Sequence, residues 1–66
     1  MRNSTAEYTE NLRETGAVIA SIRRKMRLSQ AELAELIRIH TNTVSNIERG
    51  RGDPSVTILS LILTQL

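Results

Sequence analysis

Apolar residues recur at helical spacing in four separate stretches, and nowhere do they alternate with the period of two that a half-buried strand requires. After Gly16, the residues Ile19, Ile22 and Met26 form the first clear stripe and predict a helix over about residues 16–26, with an earlier start left open. Upstream, residues 6–14 permit helix, with Tyr8 and Leu12 four apart, but the stripe there is weak. The next boundary is sharper. Ser29 with Glu32 spells a capping box and Leu28 with Leu33 a hydrophobic staple, so a second helix starts at Gln30 and turns Leu33, Ala34 and Ile37 inward. Arg38-Ile39-His40 interrupts that pattern. A third helix over about Thr41–Arg49 buries Val44 and Ile47 and is closed by Gly50, a residue suited to the left-handed turn that ends helices. Asp53 and Pro54 read as an N-cap and a first helical residue, opening a fourth helix from Pro54 to about Leu63. The fold class expected is all-α.

Composition narrows the picture. A chain of 66 residues makes one domain with a thin core, since a domain this small buries only about 60% of its unfolded surface. With no cysteine and one histidine, His40, neither a disulfide nor a histidine-rich metal site can staple it. The same scarcity, with no glycine-rich phosphate loop, argues against an enzyme, and no catalytic residue, metal or cofactor is assigned. His40 itself reads as a turn residue or a mediocre cap rather than a ligand. Tyr8 is the one aromatic, so the core is aliphatic. The apolar run Val56 to Leu63 is interrupted by Thr57 and Ser60 and is too short to span a bilayer, and no signal-peptide pattern precedes the domain. A soluble cytoplasmic protein is expected.

The net charge of +2 is unevenly placed, with −1 over residues 1–16 and +3 over residues 17–66. Eight of the nine cations are arginine, the better residue for bidentate contacts to phosphate or carboxylate. They gather at Arg23-Arg24-Lys25-Met26-Arg27 and at Arg49-Gly50-Arg51. Two charges fall on inward faces: Arg23, four after Ile19, and Glu48, four after Val44. A lone buried charge costs several kcal/mol, so the economical arrangement is that Arg23 and Glu48 pair and join the first helix to the third. The alternative is that each side chain snorkels separately to water.

The outward face of the third helix is unusual in carrying Asn42, Ser45, Asn46 and then Arg49, with Thr41 and Thr43 in its first turn, where exposed helices ordinarily carry Glu and Lys. Asparagine presents a donor and an acceptor together and suits the adenine edge; threonine methyls suit the thymine methyl. An ordinary polar surface is the plainer alternative, and the flanking arginines weigh against it.

The run Gly16-x-x-Ile19-x-x-Ile22-Arg23, then Leu28-Ser29-Gln30-x-x-Leu33-Ala34, then Val44-Ser45-x-Ile47-Glu48-x-Gly50, then Pro54-Ser55, resembles the Xre or Cro/CI-type helix-turn-helix family over about residues 15–66. The resemblance implies a compact lambda-repressor-like bundle of four to five helices, its final helix missing or incomplete, behind a polar, partly helical or frayed extension at residues 1–14. It implies that the third helix enters the major groove of double-stranded DNA. Thr41, Asn42, Ser45 and Asn46 then read bases; Gln30, Thr43, Arg49 and Arg51 line the DNA backbone; and Arg23–Glu48 is the family's structural ion pair. The function so implied is that of a sequence-specific transcriptional regulator, most often a repressor on a palindromic operator, in the cytoplasm and nucleoid of a bacterium or phage host. Antitoxins with a toxin partner and restriction-modification controllers share the domain, and a protein-interaction module without DNA binding is the alternative of another class. Val56, Leu59, Ile62 and Leu66 form the inward stripe of the fourth helix, which leaves Ile58, Leu61 and Leu63 as candidates for a homodimer contact. Tyr8 and Leu12 could supply that contact instead.

The chain departs from the family at three points. Arg27 and Arg38 stand where glycine is usual, at sites that often require positive φ, so either these turns adopt another geometry or the strain is tolerated. His40 stands where Ser or Thr normally caps the third helix, which opens the possibility that Thr41 caps in its place and shifts the helix start by one.

Overall fold

Four helices built on these stripes make up the computed structural model, which describes residues 4–52 and 54–65: α1 at Ser4–Lys25, α2 at Gln30–Ile37, α3 at Thr41–Glu48 and α4 at Val56–Leu63. No strand occurs among the described residues. Leu33, Ala34 and Ile37 of α2 meet Val44 and Ile47 of α3, Ile19 of α1 and Ile62 of α4 in one aliphatic core. Leu28, Ile39, Ile58 and Leu59 pack against its edge. Ala20 is buried as well, whereas Ile22 and Met26 are only half-buried.

The first helix takes the earlier start: it begins at Ser4, upstream of the clear stripe, and runs for 22 residues without a break. Gly16 lies inside it, where a glycine disfavours helix by about 1 kcal/mol relative to alanine. The physical reason is a crossing. A Cβ on Gly16 would overlap the Ile47 carbonyl oxygen and lie 2.9 Å from that of Glu48, so only glycine lets α1 pass so close to the end of α3. A glycine that looks like punctuation in the sequence is a point of contact between two backbones.

Three of the helices end in the same hydrogen-bonded turn, in which two successive amides reach back five and three residues to orphan carbonyls. After α1, Leu28 N–H donates to the Arg23 carbonyl at 3.2 Å and Arg27 N–H to Arg24 at 3.0 Å. After α2, Ile39 donates to Ala34 at 2.9 Å and Arg38 to Glu35 at 3.3 Å. After α3, Arg51 donates to Asn46 at 2.8 Å and Gly50 to Ile47 at 3.0 Å. The residue at the bend is left-handed each time, with φ of 60° at Arg27, 59° at Arg38 and 74° at Gly50. Of the two geometries open to Arg27 and Arg38, both therefore take the strained one. Leu28 and Ile39, one residue beyond each arginine, fold back onto the core, the apolar contact that commonly accompanies this turn.

The fourth helix starts later than expected. Its N-cap is Ser55, whose hydroxyl accepts the Ile58 amide at 3.2 Å, and Pro54 is buried ahead of the cap rather than being the first helical residue. Asp53, the expected cap, and Leu66 lie outside the described residues. Starting the helix at Val56 leaves that side chain on the first turn, 80% exposed, so Val56 does not belong to the inward stripe; Ile62 does, with Leu59 half-buried.

Candidate nucleic-acid interface

On α3, burial of Val44 and Ile47 turns the opposite face outward: Thr41, Asn42 and Asn46 are exposed, Thr43 and Ser45 half-buried. Arg49 and Arg51 are exposed just beyond the helix. The Arg51 amide is tied to the Asn46 carbonyl in the closing turn, which holds the backbone of that residue beside the end of α3. His40 is the N-cap, with an extended backbone and no side-chain hydrogen bond to the helix, so the start of α3 does not shift. Because no hydroxyl or carboxylate occupies the cap, the first turn of α3 presents its amides uncovered by its own cap side chain.

Behind this face lies a network that joins three helices. Arg23 Nε donates to Glu48 Oε2 at 2.7 Å and Nη2 to Oε1 at 3.0 Å, a bidentate pair whose side chains are 12% and 6% exposed. Arg23 Nη1 donates to the Leu28 carbonyl at 2.8 Å, bracing the turn after α1. Gln30 Nε2 donates to Glu48 Oε1 at 2.9 Å, so the first residue of α2 is fixed to the last residue of α3. Burial pushes the Glu48 carboxyl up, but hydrogen bonds from Arg23 and Gln30 and the charges of Arg23 and Arg24 outweigh it and hold the group below its ordinary range. The hydrogen bond to Glu48 raises Arg23 against an opposing desolvation. No buried side-chain polar atom among the described residues lacks a partner, so the network is complete within the chain. It acts as scaffold: it sets the spacing of α2 and α3 and immobilises the Gln30 amide.

The capping box at the start of α2 is closed in both directions, Glu32 N–H to Ser29 Oγ at 3.0 Å and Ser29 N–H to Glu32 Oε1 at 2.8 Å. The Ser29 amide, with its hydroxyl, lowers the exposed Glu32 carboxyl. Arg27, exposed two residues before this cap, is a cation that the sequence reading assigned no role; its replacement of a customary glycine was the available signal.

The surplus apolar surface of α4 divides. Ile58 packs half-buried against the core and is not an outward residue, whereas Leu61 and Leu63 are 38% and 58% exposed. Leu63 and Leu59 face Val18 and Ile22 across an open groove of about 370 Å³ between α4 and α1. Among the described residues no group of three or more His, Cys, Asp or Glu could hold a metal ion, and no helix is long and apolar enough to cross a membrane.

Two short helices locked end to start, one of them presenting an uncharged polar face beside arginines, define a helix-turn-helix bundle. The family model described as helix-turn-helix matches residues 19–66, and the chain belongs to this family, of the Xre and Cro/CI type, whose domain is a DNA-binding regulatory one and not that of an enzyme family. No curated protein matches the chain.

Proposed function

We propose that this chain is a sequence-specific transcriptional repressor that binds a palindromic operator in double-stranded DNA as a homodimer. The observation that carries this reading is the exposed face of α3, where the uncharged Thr41, Asn42 and Asn46 are open to solvent and the exposed Arg49 and Arg51 follow just beyond the helix. Thr41, Asn42, Ser45 and Asn46 read bases in the major groove, while Thr43, Arg49, Arg51 and the braced Gln30 hold the phosphate backbone. Asparagine at Asn42 or Asn46 suits adenine through its paired donor and acceptor.

Selection of bound sequences from a random duplex pool, followed by binding titrations, tests the reading. Asn42→Ala and Asn46→Ala each relax preference at particular positions by about 1–3 kcal/mol, whereas Arg51→Ala weakens all duplexes alike. Affinity that does not change with salt, or variants on this face that bind as well as the parent chain, overturns it in favour of a protein-interaction module. The pairing of two copies is favoured by one further observation: Val18, Leu61 and Leu63 leave apolar surface exposed along α1 and α4, the kind of patch a two-fold contact covers. Sedimentation at tens of micromolar that finds only monomer removes the homodimer and leaves the DNA reading standing.

A further inference from the structure

We propose that Arg27 holds a DNA phosphate beside the start of α2, and that the chain tolerates a strained backbone there to keep that cation. The inference rests on the DNA reading above. Arg27 has φ of 60°, a conformation that disfavours any residue with a Cβ and that glycine adopts freely. The comparison with Gly50 shows what packing alone requires at such a bend. A Cβ at Gly50 would lie 2.8 Å from Arg13 Cα, so glycine is compelled there by lack of room. Arg27 is exposed, and among the described residues its guanidinium has neither a hydrogen-bond partner nor an ion-pair partner. Packing gives no reason for an arginine at this bend, and the backbone gives a reason against one. Arg38 shares this strain and this lack of a partner, so strain alone assigns no function, and the place of each arginine in the fold separates them.

The surroundings of Arg27 indicate its function. Arg24 and Lys25, both exposed, precede it on the last turn of α1. Gln30, fixed by Glu48, follows three residues later. The cation therefore borders the residue that the DNA reading places on the phosphate backbone, at the end of α2 that is tied to α3. Arg38 supplies the control, because it has the same left-handed conformation and charge but sits at the far end of α2, about 12 Å away along the helix.

The test compares the full chain with Arg27→Gly, Arg27→Gln and Arg38→Gly, using a duplex selected by the parent chain and fluorescence anisotropy over a range of salt. Arg27→Gly is expected to bind about five- to tenfold more weakly per protomer near 0.1 M salt, with the slope of log affinity against log salt shallower by about 0.9 for each protomer on the duplex, about 1.8 for a dimer on its operator, the signature of one lost phosphate contact per copy. Its melting temperature rises by a few degrees because the bend is relieved. Arg27→Gln shows the same binding loss without that rise, and Arg38→Gly shows the rise while keeping the parent slope. A parent-like slope in Arg27→Gly overturns the proposal and leaves the DNA reading intact. An equal loss in Arg27→Gly and Arg38→Gly also overturns it, since net charge alone would then account for the effect. A fall in melting temperature for Arg27→Gly overturns the strain half. If the parent chain binds no duplex, the DNA reading fails and this proposal with it.

Discussion

The turn that follows α1 and the turn that follows α3 have the same hydrogen bonds and nearly the same φ, yet one is built on Arg27 and the other on Gly50. The difference lies in what surrounds each bend. The turn after α3 presses against the middle of α1, where the Arg13 backbone occupies the space a side chain would need. The turn after α1 faces outward and is braced from within by Arg23, whose Nη1 holds the Leu28 carbonyl. Positive φ is therefore not sufficient to demand glycine. Contact with a neighbouring backbone makes the demand absolute, and where that contact is missing a strain of about 1–2 kcal/mol is all that opposes another residue.

Breaking the brace is expected to have the largest effect. Glu48→Ala leaves Arg23, at 12% exposure, without its counter-charge and removes the link from Gln30, so equilibrium unfolding in urea should show a loss of about 3 kcal/mol or more. That is a large part of the stability a domain of this size can have. The pair also carries a pH signature. Because the folded-state Glu48 lies below its ordinary value, its contribution is complete above that value, near pH 4.3, and is lost as the pH falls through the lowered folded-state one. Glu48→Gln should flatten stability over that acidic window. A residual slope of the same sign remains from Glu32, which the Ser29 amide also lowers.

At the other turn, Gly50→Ala combines left-handed strain with a Cβ 2.8 Å from Arg13 Cα, and the cost should be about 2–3 kcal/mol. If alanine is accepted there with a loss under about 1 kcal/mol, crowding is not what separates the two bends.

How far these features are legible in the sequence depends on whether their cause is local. The start of α2 could be placed because Ser29 and Glu32 satisfy each other within four residues. Arg23 and Glu48 stand out as charges on otherwise apolar faces, and the structure joins them at 2.7 Å. The role of Gly16 is not legible because its reason is the carbonyl of Ile47, thirty-one positions away, which no window along the chain contains. Asp53-Pro54 reads locally as the start of α4, whereas in the folded chain Pro54 is buried and Ser55 caps the helix. The same choice turns Ile58 toward the core and Val56 away from it. On the candidate DNA face, the polar character of α3 can be read from residue types alone. The bond from Gln30 to Glu48 cannot, because it depends on the angle at which two helices meet.

A milder change tests the cap that the α1 turn leads into. Ser29→Ala removes the acceptor for the Glu32 amide and should lower stability by about 1 kcal/mol, measured by thermal or urea unfolding. The α3 turn has no such dependence, since no capped helix follows it directly.

The smallest expected effect has the opposite sign. Arg38 is left-handed like Arg27, exposed, and not crowded by a neighbouring backbone, so Arg38→Gly relieves about 1–2 kcal/mol of strain. Glycine also gives the unfolded chain more freedom, which takes back about 0.5–1 kcal/mol. The net expectation is a gain of about 0.5–1 kcal/mol, visible as a melting temperature a few degrees higher. Equal stability in Arg38→Gly and the parent would mean that the folded-state relief and the unfolded-state entropy cancel. A loss would mean that the guanidinium makes a stabilising contact in solution, and the contrast with Gly50 would then rest on side-chain interactions rather than on room for a Cβ.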